Sequence, residues 1–508
     1  MIVLLEQSDT GGYGIGTVRF PAGRCQIDVT ISQRWILGLT AVAALLVGLD
    51  ASVVSTALTT IRLDLHASVE QLEWTVNAYT LSFAVLLLTA AALGDRFGRR
   101  RLFVSGLALF AVASAGCALA PTAGWLIAAR AAQGAGAAAV MPLALTLLGA
   151  AIPPERRARV LGAFTAVVGA SVPAGPLVGG AIVDGASWRW IFWLNLPVVA
   201  VLVAFVLRRI EPSRGPGSGL DIGGLLLAGG AAFGLVWGLV RGNAAGWASL
   251  EVLAALGAGA ALTAGFVAFE ARTGEPMLPL RLFRGRAFAT GNAAIFFVWA
   301  STFGSVYFMA QFLQTSLGAR PLEAGLRLMP WGAMTVIVPR IAGSLVQRYG
   351  ARPLVAGGMT LHAASMLWIA DLATPNVAYW QLVAPLVLSG IGVAAAIPAT
   401  QAAVLASVAP ADIGKASGAY SALRQLGGAF GVAALVAVFA ARGDYGSPRA
   451  FVDGFAPALV ASAALAAAAV LVGAGIPTHR QVPAPAPAGG PSVWARSRRR
   501  SASSAPHS

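Results

Sequence analysis

Apolar residues in this chain gather into long runs separated by short polar loops, rather than into the stripes of a soluble helix or the alternation of a strand. The first set runs approximately from Trp35 to Leu58, Leu72 to Leu93, Leu102 to Leu119, Gly124 to Leu148, Val160 to Val183 and Trp190 to Leu207. Two more follow, Leu220 to Val240 and Leu250 to Phe269. A last set covers Phe288 to Leu313, Gly325 to Val346, Leu354 to Ala370, Tyr379 to Ala406, Ala416 to Phe439 and Phe455 to Val472. A helix needs about 20 such residues to cross a bilayer core, so the pattern predicts an all-α polytopic membrane protein of about fourteen transmembrane helices. The expected organisation is an extension over 1–33, a six-helix bundle over 34–210, an inserted helix pair with its linkers over 211–286, a second six-helix bundle over 287–475 and a tail over 476–508. The first 33 residues hold one short apolar patch, Ile2 to Leu5, too short for a signal-peptide core. The tail, rich in Pro, Ala, Ser and Arg, is expected to be disordered.

Composition agrees with this pattern. The chain is 57% hydrophobic and 11% charged, with a mean hydropathy of +0.75, whereas a soluble domain carries about a quarter charged residues. The net charge of +15 does not form a nucleic-acid-binding domain, because the arginines are distributed among the loops. Arg96 and Arg99 to Arg101, Arg156, Arg157 and Arg159, Arg208 and Arg209, and Arg281 to Arg286 crowd one set of loops. The alternate loops hold few. The crowded side is therefore expected to be cytoplasmic, with both termini inside a cytoplasmic membrane. Trp125, Trp188, Trp190 and Trp247 are placed to anchor at the interface. Cys25 and Cys117 make no disulfide framework, and no His/Cys/acid spacing suggests a metal site. Gly12, Gly14 and Gly16 lack the context of a nucleotide site, and no phosphate loop is present, so no cofactor is expected.

The chain repeats itself. Asp95-Arg96-Phe97-Gly98-Arg99-Arg100 recurs as Gln347-Arg348-Tyr349-Gly350-Ala351-Arg352 after the second run of each six. The Gly-x-Gly-x-Ala-Ala-x-x-Pro of Gly134 to Pro142 recurs from Gly390 to Pro398, and Gly162 to Thr165 echoes Gly418 to Ser421. Paired bundles of this kind belong to transporters that rock about a mid-membrane site.

Ionisable residues inside the runs are the candidates for chemistry. Asp50 lies roughly 24 Å along a helix from Arg34, within the hydrocarbon layer. An acid there costs several kcal/mol unless it meets water, a partner or a proton, and an acid that alternates among these carries protons. Arg130 is expected at a similar depth, where changes in its separation from Asp50 would modulate proton release; a static buried pair is the alternative. Arg424 is expected near the midplane, as a counter-charge for a substrate or as a tie between the halves. His362, inside the eleventh run, is either a relay or a histidine satisfied by its neighbours.

These residues resemble the major facilitator superfamily, and within it the fourteen-span drug:proton antiporter branch. Leu49-Asp50 with Val53-Val54 and Ala57-Leu58 is similar to that branch's first-helix signature, Leu93 to Arg100 to the superfamily's loop motif, and Arg130 to Gly134 to its fourth-helix motif. Gly175 to Gly180 is similar to the antiporter motif of the fifth helix, although Ser171 stands where a glycine is usual; Ala91 likewise replaces a glycine before the loop motif. Trp188 to Phe192 and Arg424 to Gly428 are similar to further signatures of the branch. The resemblance implies a loop latch at Gly94, Asp95, Arg96, Gly98 and Arg99. It also implies a proton-tight seal along Pro173, Gly175, Pro176, Gly179 and Gly180. The expected function is export of small lipophilic or amphipathic compounds in exchange for protons, by a monomer and without enzymatic chemistry. The alternatives are export of the cell's own metabolite, nutrient import, or a membrane receptor or enzyme. The charge of the cargo stays open, since Asp50 favours a cation and Arg424 an anion.

Overall fold

The computed structural model describes residues 31–152, 160, 164, 167–168, 170–213, 221–274, 276, 278–409 and 412–477. Residues 1–30 of the predicted extension and 478–508 of the predicted tail lie outside these residues, while 31–33, expected in the extension, already belong to the first helix. The first bundle comprises α1 (Ile31–Leu65), α2 (Val69–Phe97), α3 (Arg99–Ala118), α4 (Ala123–Ala151), α5 (Ser171–Gly185) and α6 (Trp190–Arg209). The inserted pair is α7 (Ile222–Ala245) and α8 (Leu250–Glu270). The second bundle comprises α9 (Arg286–Thr315), α10 (Met329–Tyr349), α11 (Ala351–Leu372), α12 (Tyr379–Ala406), α13 (Ile413–Ala440) and α14 (Pro448–Ala474). Among the described residues, 11 helices are long and apolar enough to cross a membrane, and two bent pairs raise this to 13. The bent pairs are α2 (51°) and α10 (52°), the second spans of the two bundles. Only the last 15 residues of the fifth span are described as a continuous helix, α5.

Loop residues start these helices by satisfying their free N–H groups. Ser68 and Gln71 form a reciprocal capping box at α2, while Thr122, Asp221, Ser249 and Ser447 cap α4, α7, α8 and α14. Gly98 and Gly350 adopt φ of +108° and +84°, a region that favours glycine, and each turns the chain from one span into the next. That shared conformation accounts for the recurring loop motif.

The second repeat has an equally direct cause. A side chain at Gly136 would sit 2.7 Å from the backbone of Phe110 on α3, and one at Gly392 would sit 2.2 Å from the carbonyl of Gly358 on α11. Gly134 meets the backbone of Tyr79 on α2, and Gly390 that of Trp331 on α10. The fourth span of each bundle thus uses two glycines to bring a neighbour against each of two faces.

The two ends of the molecule differ; they are named here for Asp64, which closes α1, and Asp95, which closes α2. At the Asp64 end one apolar core belongs to both bundles: Val54, Leu58, Leu72 and Phe192 pack in the same cluster as Phe308, Phe312, Leu435 and Phe455. Towards the Asp95 end the cores are separate, one holding Phe103, Leu107 and Leu143, the other Phe288, Ile295 and Met359. The Asp64 end is also tied by Arg320 to Asp184 at 3.1 Å, by Gln314 Nε2 donating to the Thr56 carbonyl at 3.0 Å, and by the Arg62 guanidinium 4.7 Å above the Tyr445 ring.

Trp188 departs from the expectation that it anchors at a membrane interface. It is 2% exposed and donates its indole N–H to Asp64 at 3.0 Å, while Arg189 pairs with the same carboxylate at 2.6 Å. The segment from Trp188 ties the start of α6 to the end of α1. Trp125, Trp190 and Trp247 are exposed. The inserted pair is peripheral yet not detached: α7 packs on both α2 and α13, with Arg241 pairing Glu70 at 3.2 Å and Asn243 donating to the Ala437 carbonyl. It therefore spans the seam between the bundles.

Candidate functional site

Asp50 lies in the middle of α1, at 3% exposure, where α3, α4 and α6 converge. Its carboxylate is met by Arg130 Nη1 at 2.5 Å, Gln133 Nε2 at 2.8 Å and Asn195 Nδ2 at 3.0 Å. Ser114 completes the shell, accepting from Gln133 at 2.8 Å and from Asn195 at 3.2 Å. Arg130 and Gln133, one turn apart on α4, address the acid together because residues at i and i+3 share a helix face. Arg130, expected at a depth similar to that of Asp50, is in direct contact with it.

Arg130 has other partners waiting. It donates Nε to the Thr75 carbonyl at 3.2 Å and Nη1 to Gln133 Oε1 at 2.6 Å, and its guanidinium lies 4.2 Å from the centre of the Tyr79 ring. Tyr79 in turn donates to the Val47 carbonyl on α1. The cation thus keeps hydrogen bonds and an aromatic face if the acid lets go. A buried pair in which either member can lose the other without being wholly stranded is suited to gain and loss of a proton.

The second bundle carries a polar centre on the equivalent helices. His362 of α11 bonds Ser389 of α12 through Nδ1 at 2.8 Å and Ser301 of α9 through Nε2 at 3.0 Å, and Ser301 meets Ser462 of α14 at 2.8 Å. By the offset of the glycine repeat, Ser389 takes the place of Gln133 and Leu386 that of Arg130, so this centre has no ion pair. Both ring nitrogens are occupied within one bundle, which fits a satisfied structural histidine better than a relay. His362→Asn is therefore expected to lower stability by about 1–3 kcal/mol while leaving the pH dependence of transport unchanged; thermal unfolding and transport against pH check both.

Arg424 of α13 is not brought to Asp50. Its guanidinium lies 5.0 Å from the Trp299 ring centre, and its Nε and the Trp299 indole N–H are buried without hydrogen bonds. The Trp299 ring also packs, tilted, against Phe303 with 4.9 Å between ring centres.

The loop after α2 folds back on its own bundle. Arg99 pairs with Asp95 at 2.7 Å, its N–H bonds the Ser213 carbonyl, and Arg100 donates to the carbonyl of Ile210. Gly94 lies against Leu143 of α4, and Arg96 against the Phe97 ring. On α5, side chains at Gly175 and Gly179 would meet Ser52 and Val53 of α1 within 2.1 Å and 2.7 Å. Ser171, in place of the usual glycine, fits because Gly48 stands opposite it. Gly180 and Pro176 face the other bundle instead: a Cβ at Gly180 would lie 2.4 Å from the Pro321 carbonyl, and one at Gly325 2.4 Å from that of Pro176. The side chain of Pro173 lies outside the described residues.

The sequence pattern overlooked Ser114, Glu73 and Asp64. Glu73 and Asn77 on α2 are both fully buried. Glu73, Asn77 and Thr80 at i, i+4 and i+7 form a polar line within an apolar run, a signal of a face turned to protein rather than lipid.

The sequence profile of the Major Facilitator Superfamily matches residues 40–274 and 291–503. The chain belongs to the Major Facilitator Superfamily. It is a multi-pass membrane transporter of small molecules and not an enzyme. It is 36% identical over 410 residues to the tetracenomycin C resistance and export protein of Streptomyces glaucescens, covering 79% of this chain and 75% of that one. It is 35% identical over 446 residues to the cephamycin export protein CmcT of Amycolatopsis lactamdurans, covering 86% and 91%. A bacterial homologue of the lysosomal transporter Spinster, solved inward-facing and unoccupied, superposes with a TM-score of 0.62 at 17% identity over 90% of this chain and 100% of that one. At that identity the likeness is one of fold.

Proposed function

We propose that this transporter exports a small lipophilic or amphipathic compound, of the antibiotic class its relatives are named for, in exchange for protons entering the cell. The observation that carries the reading is the ion pair of Asp50 and Arg130, enclosed with Gln133, Asn195 and Ser114 inside the first bundle. Asp50 binds the proton, and Arg130 moves between the carboxylate and its alternative partners as the proton comes and goes. With the arginine-rich Asp95 end in the cytoplasm, the shared core closes the outer side, and the two separate cores leave the bundles parted on the inner side. Alternating access is a rocking of the two bundles that moves the shared core from one end to the other. In the closed-outside state Asp95 is held by Arg99 of its own loop, so the latch is disengaged; Gly180 and Pro176 supply the outer seal. Arg424 and the Trp299 indole offer unpaired donors to the cargo.

Right-side-out vesicles loaded with tetracenomycin-like and cephalosporin-like compounds and with lipophilic dye test the reading. An inward proton gradient is expected to speed release at least about tenfold, a change of 1.4 kcal/mol in the barrier. Release indifferent to the gradient would overturn the exchange. Two of the relatives are named for export of particular antibiotics, which favours a second reading in which the cargo is a compound of the cell's own making. One compound class released far faster than the dyes would support it.

A further inference from the structure

The seam at the Asp64 end contains a second acid for which the Asp50 centre has no use. Glu73 is 0% exposed, and its helical neighbours Leu72 and Val76 belong to the core shared by both bundles. One carboxylate oxygen accepts from Asn77 Nδ2 at 3.2 Å; the other has no hydrogen-bond partner. Tyr307 of α9 belongs to the same shared core, and Tyr445 of the α13–α14 loop packs against it from the second bundle. Tyr445 donates to Gln311, while the Tyr307 hydroxyl is buried without a normal hydrogen bond.

The cations and acids around α2 have other neighbours, although Arg62 Nε and Arg424 Nε are buried without hydrogen bonds. On α1, Arg62 lies over the Tyr445 ring, Asp64 pairs with Arg189 with His66 beside it, and Asp50 holds Arg130 of α4. Arg241 of α7 holds Glu70, the neighbouring acid on α2 itself, and Glu251. Cys117 of α3 contacts Gln133, and Arg424 of α13 lies over Trp299. Among the described residues no basic nitrogen lies within 4.0 Å of the Glu73 carboxylate.

An ionised carboxylate so enclosed, without a cation and one hydrogen bond short, costs several kcal/mol; the neutral acid costs far less. We propose that Glu73 is a proton-binding site of the interface between the bundles, taking a proton from water at the Asp64 end when the seam is open and holding it while the seam is closed. Binding forms the carboxyl O–H and neutralises the acid; reopening returns the proton to water. Protonation therefore stabilises closure, and ionisation opposes it. This role is separate from that of Asp50, which lies wholly within the first bundle.

The test uses spin labels at Leu119→Cys and Trp380→Cys, exposed positions of the two bundles at this end, in the full chain lacking Cys25 and Cys117. In detergent without substrate, raising the pH is expected to lengthen the label distance. Glu73→Gln is expected to keep the short distance at every pH, and Glu73→Asp to restore a pH dependence with a displaced midpoint. Opening of Glu73→Gln with the midpoint of the parent protein would overturn the proposal. Were Glu73→Gln to fail to fold, an unmoved midpoint in Glu73→Asp would do the same. Loss of the pH response in Asp50→Asn alone, with Glu73→Gln behaving as the parent, would assign it to the first-bundle acid and reject Glu73.

Discussion

Asp50→Asn is expected to abolish gradient-driven efflux, reducing release in an inward proton gradient to its rate without one. The amide keeps the shape of the side chain and its contacts with Gln133 and Asn195, but it neither binds a proton at working pH nor holds the charge of Arg130, which is 1% exposed. Exchange of labelled for unlabelled cargo, which needs no net proton movement, is expected to survive. Loss of both would make Asp50 a structural residue. Breaking a buried ion pair by removing one member costs about 3–5 kcal/mol because a charge is left behind. Asp50→Asn should fall at the low end, since Arg130 keeps the Thr75 carbonyl, Gln133 Oε1 and the Tyr79 face. Arg130→Gln leaves the carboxylate with amides alone and should fall at the high end. The double variant should be more stable than Arg130→Gln by itself, because no uncompensated charge remains. Cys117, fully buried, supplies the readout: in a Cys25→Ser background a thiol-reactive dye labels it as the protein unfolds with temperature.

The second large effect is expected at Gly180. Its missing side chain is replaced by the backbone of the other bundle, with Pro321 O at 2.4 Å and Leu322 Cα at 2.8 Å from where a Cβ would stand. A flexible side chain can turn away from an intruder; a backbone held in a helical turn cannot. Overpacking of a close interface costs about 1–3 kcal/mol even for small intrusions. Gly180→Leu should therefore disfavour closure of the Asp64 end and slow transport by at least about tenfold, with the first bundle folded and Asp50 undisturbed. Spin labels at Leu119→Cys and Trp380→Cys should report a longer distance than in the parent chain. Gly185→Leu is the control: it lies on the same helix with nothing within 4 Å of its Cβ position, and both transport and distance should be unchanged. A parental distance in Gly180→Leu would show that this approach does not govern closure.

The sequence determined by itself the quantities that a bilayer reads along the chain. Long apolar runs can satisfy their backbones in lipid only as helices, so the spans, their order and the loops between them follow from hydropathy. The duplication was equally legible, and its glycines have a plain reason: Gly98 and Gly350 need a left-handed turn, while Gly136 and Gly392 admit a neighbouring backbone. Asp50 and Arg130 stood out because charge inside an apolar run is costly.

Tertiary structure alone decided which costly groups help one another. Ser114 is unremarkable along the chain, Gln133 and Asn195 are only polar residues within apolar runs, and the three become a shell because α3, α4 and α6 converge on one point of α1. Trp188 looked like an interfacial anchor because the chain does not say that Asp64 waits beside it. Glu73 was overlooked within the second run, yet folding places it beside a core that two bundles share, with tyrosines more than two hundred residues away in the chain packed into the same core. Hydropathy is a property of one segment against lipid. Partnership depends on the distance between segments, which packing alone sets.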